Sequence, residues 1–421
     1  MSALYNIFRD AVGVSIDSRT LQSGQLFFAL SGPNFNGNQF AKQALDKGAI
    51  SVVVDENISI NDKRVIRVEN TLKSLQTLST KHRTTLGTTI IALTGSNGKT
   101  TTKELIHSVL RSTFNTIATQ GNLNNHIGVP LTLLSLKEET EIGVVEMGAN
   151  HPREIALLAN IAQPDGGLIT NFGKAHLEGF GSLEGVVKAK SELYDYLKNT
   201  SGLIFANTDD PKIMAQLKGQ DPITYGTDTN ATVSATLHPE KDTIAIEVDQ
   251  INIKTQLNGS YNGYNALAAY AIGKHFGVSP QNAKRALESY IPDNNRSQII
   301  RKKNLHITLD AYNANPTSMY AALANFSKKE GKKIAVLGQM NELGKYTESE
   351  HKQLVDWIKS SPLDDCYWVG SAFEQFVSSD KYFTNVDQAM DYFSKTPLGQ
   401  ASLLVKGSRS FTLEKLVDVF H

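Results

Sequence analysis

The stretch that decides the fold is Ile90–Glu104, IIALTGSNGKTTTKE. A β-branched run, Ile90–Thr94, enters a glycine-rich turn made of Gly95, Ser96, Asn97, Gly98, Lys99, Thr100 and Thr101. A helical pattern follows at once, from Thr101 to about Leu110. Glycines let backbone N–H groups turn inward and approach phosphate oxygens closely. The helix N-terminus adds its dipole. Lys99 is placed to reach the outer phosphates of a nucleotide, and Thr100 to offer its hydroxyl to Mg²⁺. The usual loop has a glycine five positions before Gly98, where this chain has Leu93, so the loop is a shorter variant. A chance Gly-Lys-Thr in a plain strand–turn–helix is the competing reading. The strand before, the helix after and the Lys-Thr pair in register favour phosphate binding.

Outward from the loop, strand-like runs at Gly143–Met147, Gly167–Asn171 and Gly202–Asn207 alternate with helical patterns. That alternation predicts a mainly parallel sheet with crossover helices. Ala231–Leu237 and Thr243–Leu257 then switch to period two, as antiparallel strands do. Helices return at about Asn262–Phe276 and Ser279–Ser289. Before the loop, short strands and helices (Gln25–Leu30, Ile50–Val54, Arg64–Val68, Phe40–Lys47, Asn70–Lys81) make a small α/β unit. The polar Arg83–Thr89 reads as a connector. After Gln298, strands at Leu305–Leu309, Lys333–Leu337, Tyr367–Gly370 and Ser402–Val405 alternate with helices such as Thr347–Lys359 and Val386–Lys395, a doubly wound pattern. The expectation is an α/β chain of three domains, 1–82, 83–297 and 298–421.

Three residues stand out beyond the loop. Glu146 ends the apolar strand GVVEMG, and a carboxylate at a strand C-terminus beside a phosphate loop is well placed to hold Mg²⁺. It equally suits a loop cap. His176 lies just past another strand, flanked by glycines, on the same sheet edge as Glu146. A lone histidine is more often structural. Lys190 falls in the middle of the apolar stripe of Ser182–Lys198, formed by Leu183, Val187, Tyr194 and Leu197. A lysine there is costly unless paired or modified. Either it snorkels or pairs with a carboxylate, or it enters the site; spacing alone leaves both open.

Composition narrows the class. The 421 residues are too many for one core. Lys+Arg and Asp+Glu are both 42, so no nucleic-acid-binding balance exists. The single Cys366 excludes a disulfide framework and a multi-cysteine metal site. No run reaches membrane-spanning length, and the N-terminus lacks a signal-peptide pattern. The expectation is a cytoplasmic protein.

Taken together, several segments resemble the Mur ligase family: TGSNGKTTTKE, TQGNLNNHIGVPLTLL (Thr119–Leu134), VVEMGANHPREI (Val144–Ile155) and ITNFGKAHLEGFGSLEGVVKAKSELY (Ile169–Tyr194). NTDD (Asn207–Asp210), NGSYNGYNALAA (Asn258–Ala269), NNRSQ (Asn294–Gln298) and DAYNANPTSM (Asp310–Met319) continue the resemblance in order. It covers essentially the whole chain. It implies an N-terminal substrate domain, a central ATPase domain with a P-loop, and a C-terminal Rossmann-like domain. DAYNANPTSM, GQMNELG (Gly338–Gly344) and VKGSRS (Val405–Ser410) resemble the branch of the family that adds D-alanyl-D-alanine.

The resemblance implies ATP and two Mg²⁺ ions, with UDP-MurNAc-tripeptide and D-Ala-D-Ala as small-molecule partners and a monomeric state. It implies that Lys99 and Thr100 bind ATP phosphates and the first ion, completed by Glu146. His176 would bind the second ion, helped by a carbamylated Lys190. Asn265 matches an adenine-contacting residue, and Arg296 and Asp310 match residues at the phosphate or ribose. Ser18, Arg19 and Asn36 lie in segments (Asp17–Arg19, Asn34–Phe40) resembling nucleotide-sugar-binding parts. Asn313, Asn315 and the Gly338–Gly344 loop are candidates for the dipeptide side, although YNANP also reads as an N-cap with Pro316 opening a helix. Where many relatives carry His, this chain has Tyr261, which cannot act as an imidazole base, so it is assigned no catalytic role. A folylpolyglutamate-type ligase, the ligase adding the third peptide residue, and a nucleotide switch with a degenerate site are the competing readings. The Asp17–Arg19 and Asn34–Phe40 segments argue against the first, DAYNANP against the second, and the intact set from Lys99 to Lys190 against the third.

Overall fold

A computed structural model describes residues 2–292 and 295–420. Asn294, the first residue of the NNRSQ segment, lies outside the described residues. Among the described residues three large α/β sheets follow one another along the chain, with a two-stranded pair, Ser31–Gly32 and Phe35–Asn36, beside the first. The first has four parallel strands in the order Val14–Ser15, Leu26–Phe28, Ser51–Val54, Val65–Arg67.

The second sheet has nine strands. Its parallel part runs Val233–Pro239, Ile223–Gly226, Leu203–Asn207, Gly166–Ile169, Thr89–Thr94, Ile142–Glu146, Thr116–Ala118. Two antiparallel strands, Ile244–Val248 and Ile251–Lys254, extend the Val233–Pro239 edge. The sequence alternation over Thr243–Leu257 is therefore a hairpin and not one strand. Asp249 and Gln250 both have positive φ (49° and 61°), the requirement of a tight two-residue hairpin turn. Lys274 and the Tyr270 hydroxyl hold the Asp249 carboxylate.

The third sheet has six strands. Five are parallel: Leu305–Asp310, Ala401–Lys406, Lys333–Gly338, Asp365–Val369 and Tyr382–Phe383. Gln298–Lys302 pairs antiparallel on the edge. That edge strand is half-exposed along its length, so it lacks the buried apolar run that marks its neighbours.

The expected connector Arg83–Thr89 is corrected. One helix, Thr71–Leu86, runs through its first half, capped by the Asn70 side chain and ended by Gly87 at φ 68°. Polarity misled because the polar groups are all used. Thr84 and Thr85 hydroxyls bond back to carbonyls one turn earlier. Arg83 is buried, with Nε on the Ala162 carbonyl at 3.1 Å and Nη2 on Asp165 at 2.5 Å. The same Asp165 accepts from the Ile90 N–H, at the start of the phosphate-loop strand.

An apolar cluster crosses from the second sheet to the third, joining Ile169, Phe172 and Leu177 to Met319, Met340 and Leu343. Parallel strands put all their C-terminal ends on one edge. The edge carrying Thr94, Glu146 and Ile169 faces the edge carrying Asp310 and Lys406, and the space between them is the site.

Candidate active site

Between the two edges lies a cavity of about 690 Å³. The middle section lines it with Ser96 to Thr101, Glu146, His176, Asn265 and Arg296, and the last section with Asp310, Asn313 and Asn315. Residues predicted from segments up to 218 positions apart therefore share one space: Asn315 Nδ2 donates to Asn97 Oδ1 at 2.7 Å.

The loop itself is held from the neighbouring strand. Asn97 N–H donates to Asn171 Oδ1 at 3.1 Å, and Asn171 Nδ2 and the Thr170 hydroxyl donate back to the Asn97 carbonyl. Ser96 exchanges hydrogen bonds with the backbone of Gly173. Gly95 has φ 150°, and a Cβ there would lie 1.9 Å from Thr170 Oγ1, so no side chain fits. The helix Lys99–Leu110 starts immediately, and the first-turn N–H groups have no intrahelical acceptor, which leaves them for an anion. The Lys99 ammonium rests on the Gly95 carbonyl at 2.8 Å. Burial pulls its pKa down, while Glu146 and Glu342 push it back up.

Glu146 is 1% exposed. Its Oε1 accepts from Asn124 Nδ2 (2.8 Å) and from the Thr100 hydroxyl (3.3 Å). Its Oε2 is buried with no partner among the described residues. A buried carboxylate oxygen without a partner is costly. Together with the Thr100 hydroxyl it is the donor set that Mg²⁺ uses, one carboxylate with the remaining positions left to water and substrate phosphates. The residues fit that ion. No group of three or more His, Cys, Asp or Glu forms a protein-only cage among the described residues.

His176 sits at φ 52°, the N-cap of a short helix. Its Nδ1 lies 2.7 Å from Glu342 Oε2, off the line of an aligned hydrogen bond. The histidine holds the Glu342 carboxyl below its usual range, against the opposing effect of burial. Lys190 is fully buried in the helix Leu183–Thr200, and its amine has no partner among the described residues. It sits 5.5 Å from the centre of the Phe180 ring and does not line the cavity. Burial drives its pKa well down, Lys99 adds to the shift, and Glu154 opposes it. Of the two readings the spacing left open, the first fails, since the amine neither snorkels to solvent nor pairs with a carboxylate, and the second is not met directly, since the side chain stops short of the cavity lining. A neutral amine in this setting is also what carbamylation requires.

On the opposite edge, Arg296 stacks over Tyr312 at 3.9 Å from the ring centre. Asp310 is paired with the buried Lys406, which also reaches the Asn313 carbonyl. Asn265 packs against the loop, 3.0 Å from where a Cβ on Gly98 would stand, and donates to Asn262. Asn315 is the N-cap of Pro316–Phe326 with a full capping box, so it serves the helix as well as facing the cavity. Tyr261 is half-buried against the cavity, its hydroxyl 3.0 Å from that of Ser297. The sequence reading missed Asn124, Glu342, Tyr312 and Lys406. Each lies in a quoted segment, Asn124 in TQGNLNN, Tyr312 in DAYNANPTSM, Glu342 in GQMNELG and Lys406 in VKGSRS, but none was singled out there.

Ser18, Arg19 and Asn36 are not brought to this cavity. They belong to the first section, where Ser18 donates to Gln43, Arg19 pairs with Asp17 at 2.7 Å, and Asn36 caps a turn and bonds Glu56. Arg19 holds the Asp17 carboxyl down at about 2.

A phosphate loop and an orphaned carboxylate on one sheet edge, faced by a second α/β edge across a polar cavity, define an ATP-dependent ligase of three α/β sections. The Mur ligase middle domain matches residues 93–273, the Mur ligase glutamate ligase domain residues 295–409, and the Mur ligase family catalytic domain residues 11–83. The UDP-N-acetylmuramoyl-tripeptide–D-alanyl-D-alanine ligase of Bacillus subtilis is 37% identical over 96% of this chain and 92% of its own length. That of Escherichia coli is 34% identical over the same shares. Among solved structures, MurF from Acinetobacter baumannii superposes with TM-score 0.89 at 30% identity, covering 99% of this chain and 97% of that one. The MurF ligase from Thermotoga maritima in complex with ADP gives 0.86 at 26%, over 98% and 97%. The chain belongs to the Mur ligase family.

Proposed function

We propose that this protein joins D-alanyl-D-alanine to the terminal carboxylate of UDP-MurNAc-tripeptide, using ATP and passing through an acyl phosphate, in peptidoglycan precursor synthesis. The observation that carries the reading is the shared cavity, where the phosphate loop and Glu146 of one section face Asp310, Asn313 and Asn315 of another. The near full-length similarity to ligases of that name supports it.

The tripeptide carboxylate attacks the γ-phosphorus of ATP, giving acyl phosphate and ADP. The free amine of the dipeptide then attacks the acyl carbon and expels phosphate. Bringing a carboxylate within 4 Å of a phosphate charge costs about 4 kcal/mol per unit pair at an effective dielectric near 20. The site therefore needs cations more than a nucleophilic side chain. Lys99 and the first-turn N–H groups would receive the phosphates. Thr100 and Glu146 would hold one Mg²⁺, and His176 with the carbamate of Lys190 a second. When bound, these ions neutralise the charge that builds on the transferring group. The Lys190 amine adds to CO₂ and loses a proton, so a buried unpaired base becomes an anionic oxygen donor. Asn265 would contact the adenine, Arg296 and Asp310 the phosphate or ribose, and Asn313 and Asn315 the dipeptide. The acyl phosphate hydrolyses if wet, and closure of the three sections over the site, by large domain motions, would exclude water from it.

The sections 1–82, 83–297 and 298–421 would bring the UDP moiety, ATP and dipeptide respectively, with Ser18, Arg19 and Asn36 on the UDP side. Among the described residues, no helix is long and apolar enough to cross a membrane. A monomer working in the cytoplasm fits the reading. The test is phosphate release from ATP with UDP-MurNAc-tripeptide, adding D-Ala-D-Ala, D-alanine or glutamate in turn. Release that needs D-Ala-D-Ala supports the proposal; release only with another amine, or with none, overturns it.

A further inference from the structure

The loop Asn171–His176 is gripped from two directions. On one side it holds the phosphate loop, through Asn171 to Asn97 and through the Gly173 backbone to Ser96. On the other side the C-terminal section holds it. The Lys174 N–H donates to Thr317 Oγ1 at 2.9 Å, and Lys174 Nζ donates to Glu350 Oε1 at 2.6 Å. Contact is close enough that a Cβ on Gly173 would lie 2.9 Å from the Thr317 side chain.

Glu350 is the unusual member. Its side chain is 5% exposed while Lys174 is 42% exposed. Its second oxygen, Oε2, is buried without a partner among the described residues. A buried carboxylate is tolerated when an opposite charge meets it. Here that charge arrives from another section of the chain, 176 positions away.

We infer that Glu350 is a positioning residue. Through Lys174 it locks the Asn171–His176 loop, and with it the phosphate loop, only when the C-terminal section is docked. Docking of the section that would bring the amine is thereby sensed at the nucleotide. Neither side chain lines the cavity, so neither touches substrate. This rests on the ligase reading only for its activity arm, because the contact network exists without it.

The experiment compares Lys174→Met, Glu350→Gln, the double variant and the charge-swapped K174E/E350K, each in the full chain. Two readouts are taken: hydrogen exchange of residues 171–176 in the nucleotide-free protein, and kcat and KM for ATP-dependent phosphate release. Glu350→Gln removes the buried charge and keeps the shape, so it folds even if Lys174→Met, which strands that charge, does not. The expected result is faster exchange across 171–176 in Glu350→Gln and in Lys174→Met. With it comes a kcat lowered about tenfold at little-changed KM for ATP, a double variant no worse than the worse single, and partial recovery in the swap. Unchanged exchange in Glu350→Gln, or single effects that simply multiply, overturns the inference. If exchange responds as expected but the parent protein releases no phosphate with D-Ala-D-Ala, the lock stands and the ligase reading fails.

Discussion

Replacing Lys190 by methionine should make the protein more stable and much less active. The amine is fully buried and has no partner, at the centre of an apolar helix face. An unsatisfied buried polar group costs about 1–3 kcal/mol. Methionine has a similar length and no such group, so Lys190→Met should gain roughly that amount near pH 7. The pH dependence has a definite sign. The folded amine has a depressed pKa, so from that value up to the unfolded value of 10.5 the unfolded chain holds the extra proton. Stability of the parent protein therefore rises with pH through that window and levels off above it. The variant lacks this term, so its advantage shrinks as pH rises. The assay is apparent thermal unfolding of both proteins at pH 7 and pH 9, free of nucleotide and in CO₂-free buffer, with phosphate release measured alongside. Turnover should fall by at least about 100-fold, the scale of losing a ligand to a catalytic ion. A variant less stable than the parent at pH 7, or an advantage that does not change with pH, would refute the account of a buried, unpaired amine.

Other outcomes follow from single contacts. Glu146→Gln removes one negative charge beside Thr100 and should cut phosphate release at least about 100-fold, while ATP binding measured without Mg²⁺ survives. Gly95→Ala places a Cβ on Thr170 and should abolish nucleotide binding by calorimetry. Arg83→Met leaves the Ala162 carbonyl without this donor and Asp165 without its cation. It should cost about 1–3 kcal/mol in denaturant unfolding, at the low end of a buried pair because Asp165 is half exposed. Asn124→Ala removes one of the two donors that hold Glu146 Oε1, and should raise the Mg²⁺ concentration needed for half-maximal turnover.

The three sheets were legible because parallel strands buried on both faces spell themselves as apolar runs, such as Ile90–Thr94 and Lys333–Leu337. The phosphate loop was legible because glycine, lysine and threonine there answer local demands of the backbone. Lys190 was legible as an anomaly, a charge on an apolar stripe. The roles of Glu342, Lys406 and Tyr312 were not, although their segments were quoted, since each gains its meaning from a partner outside its own segment: His176, Asp310 and Arg296. The connector reading failed for the same reason. Arg83 and the threonines after it look like a solvated link until their acceptors, Ala162 and Asp165, are in place. The resemblance supplied expectations for Ser18, Arg19 and Asn36 that nothing in their local spacing would have raised.

The unbroken helix Thr71–Leu86 bears on how the molecule can be taken apart. Its first half packs Leu75 and Leu78 into the N-terminal core, and its second half anchors Arg83 under the nucleotide-binding sheet. A truncation at residue 82 would sever a helix in mid-turn and leave raw apolar surface on both fragments. Recombination that swaps the N-terminal section between relatives meets the same obstacle, so the viable crossover lies upstream, near Asn70, with the helix inherited as part of the nucleotide-binding half.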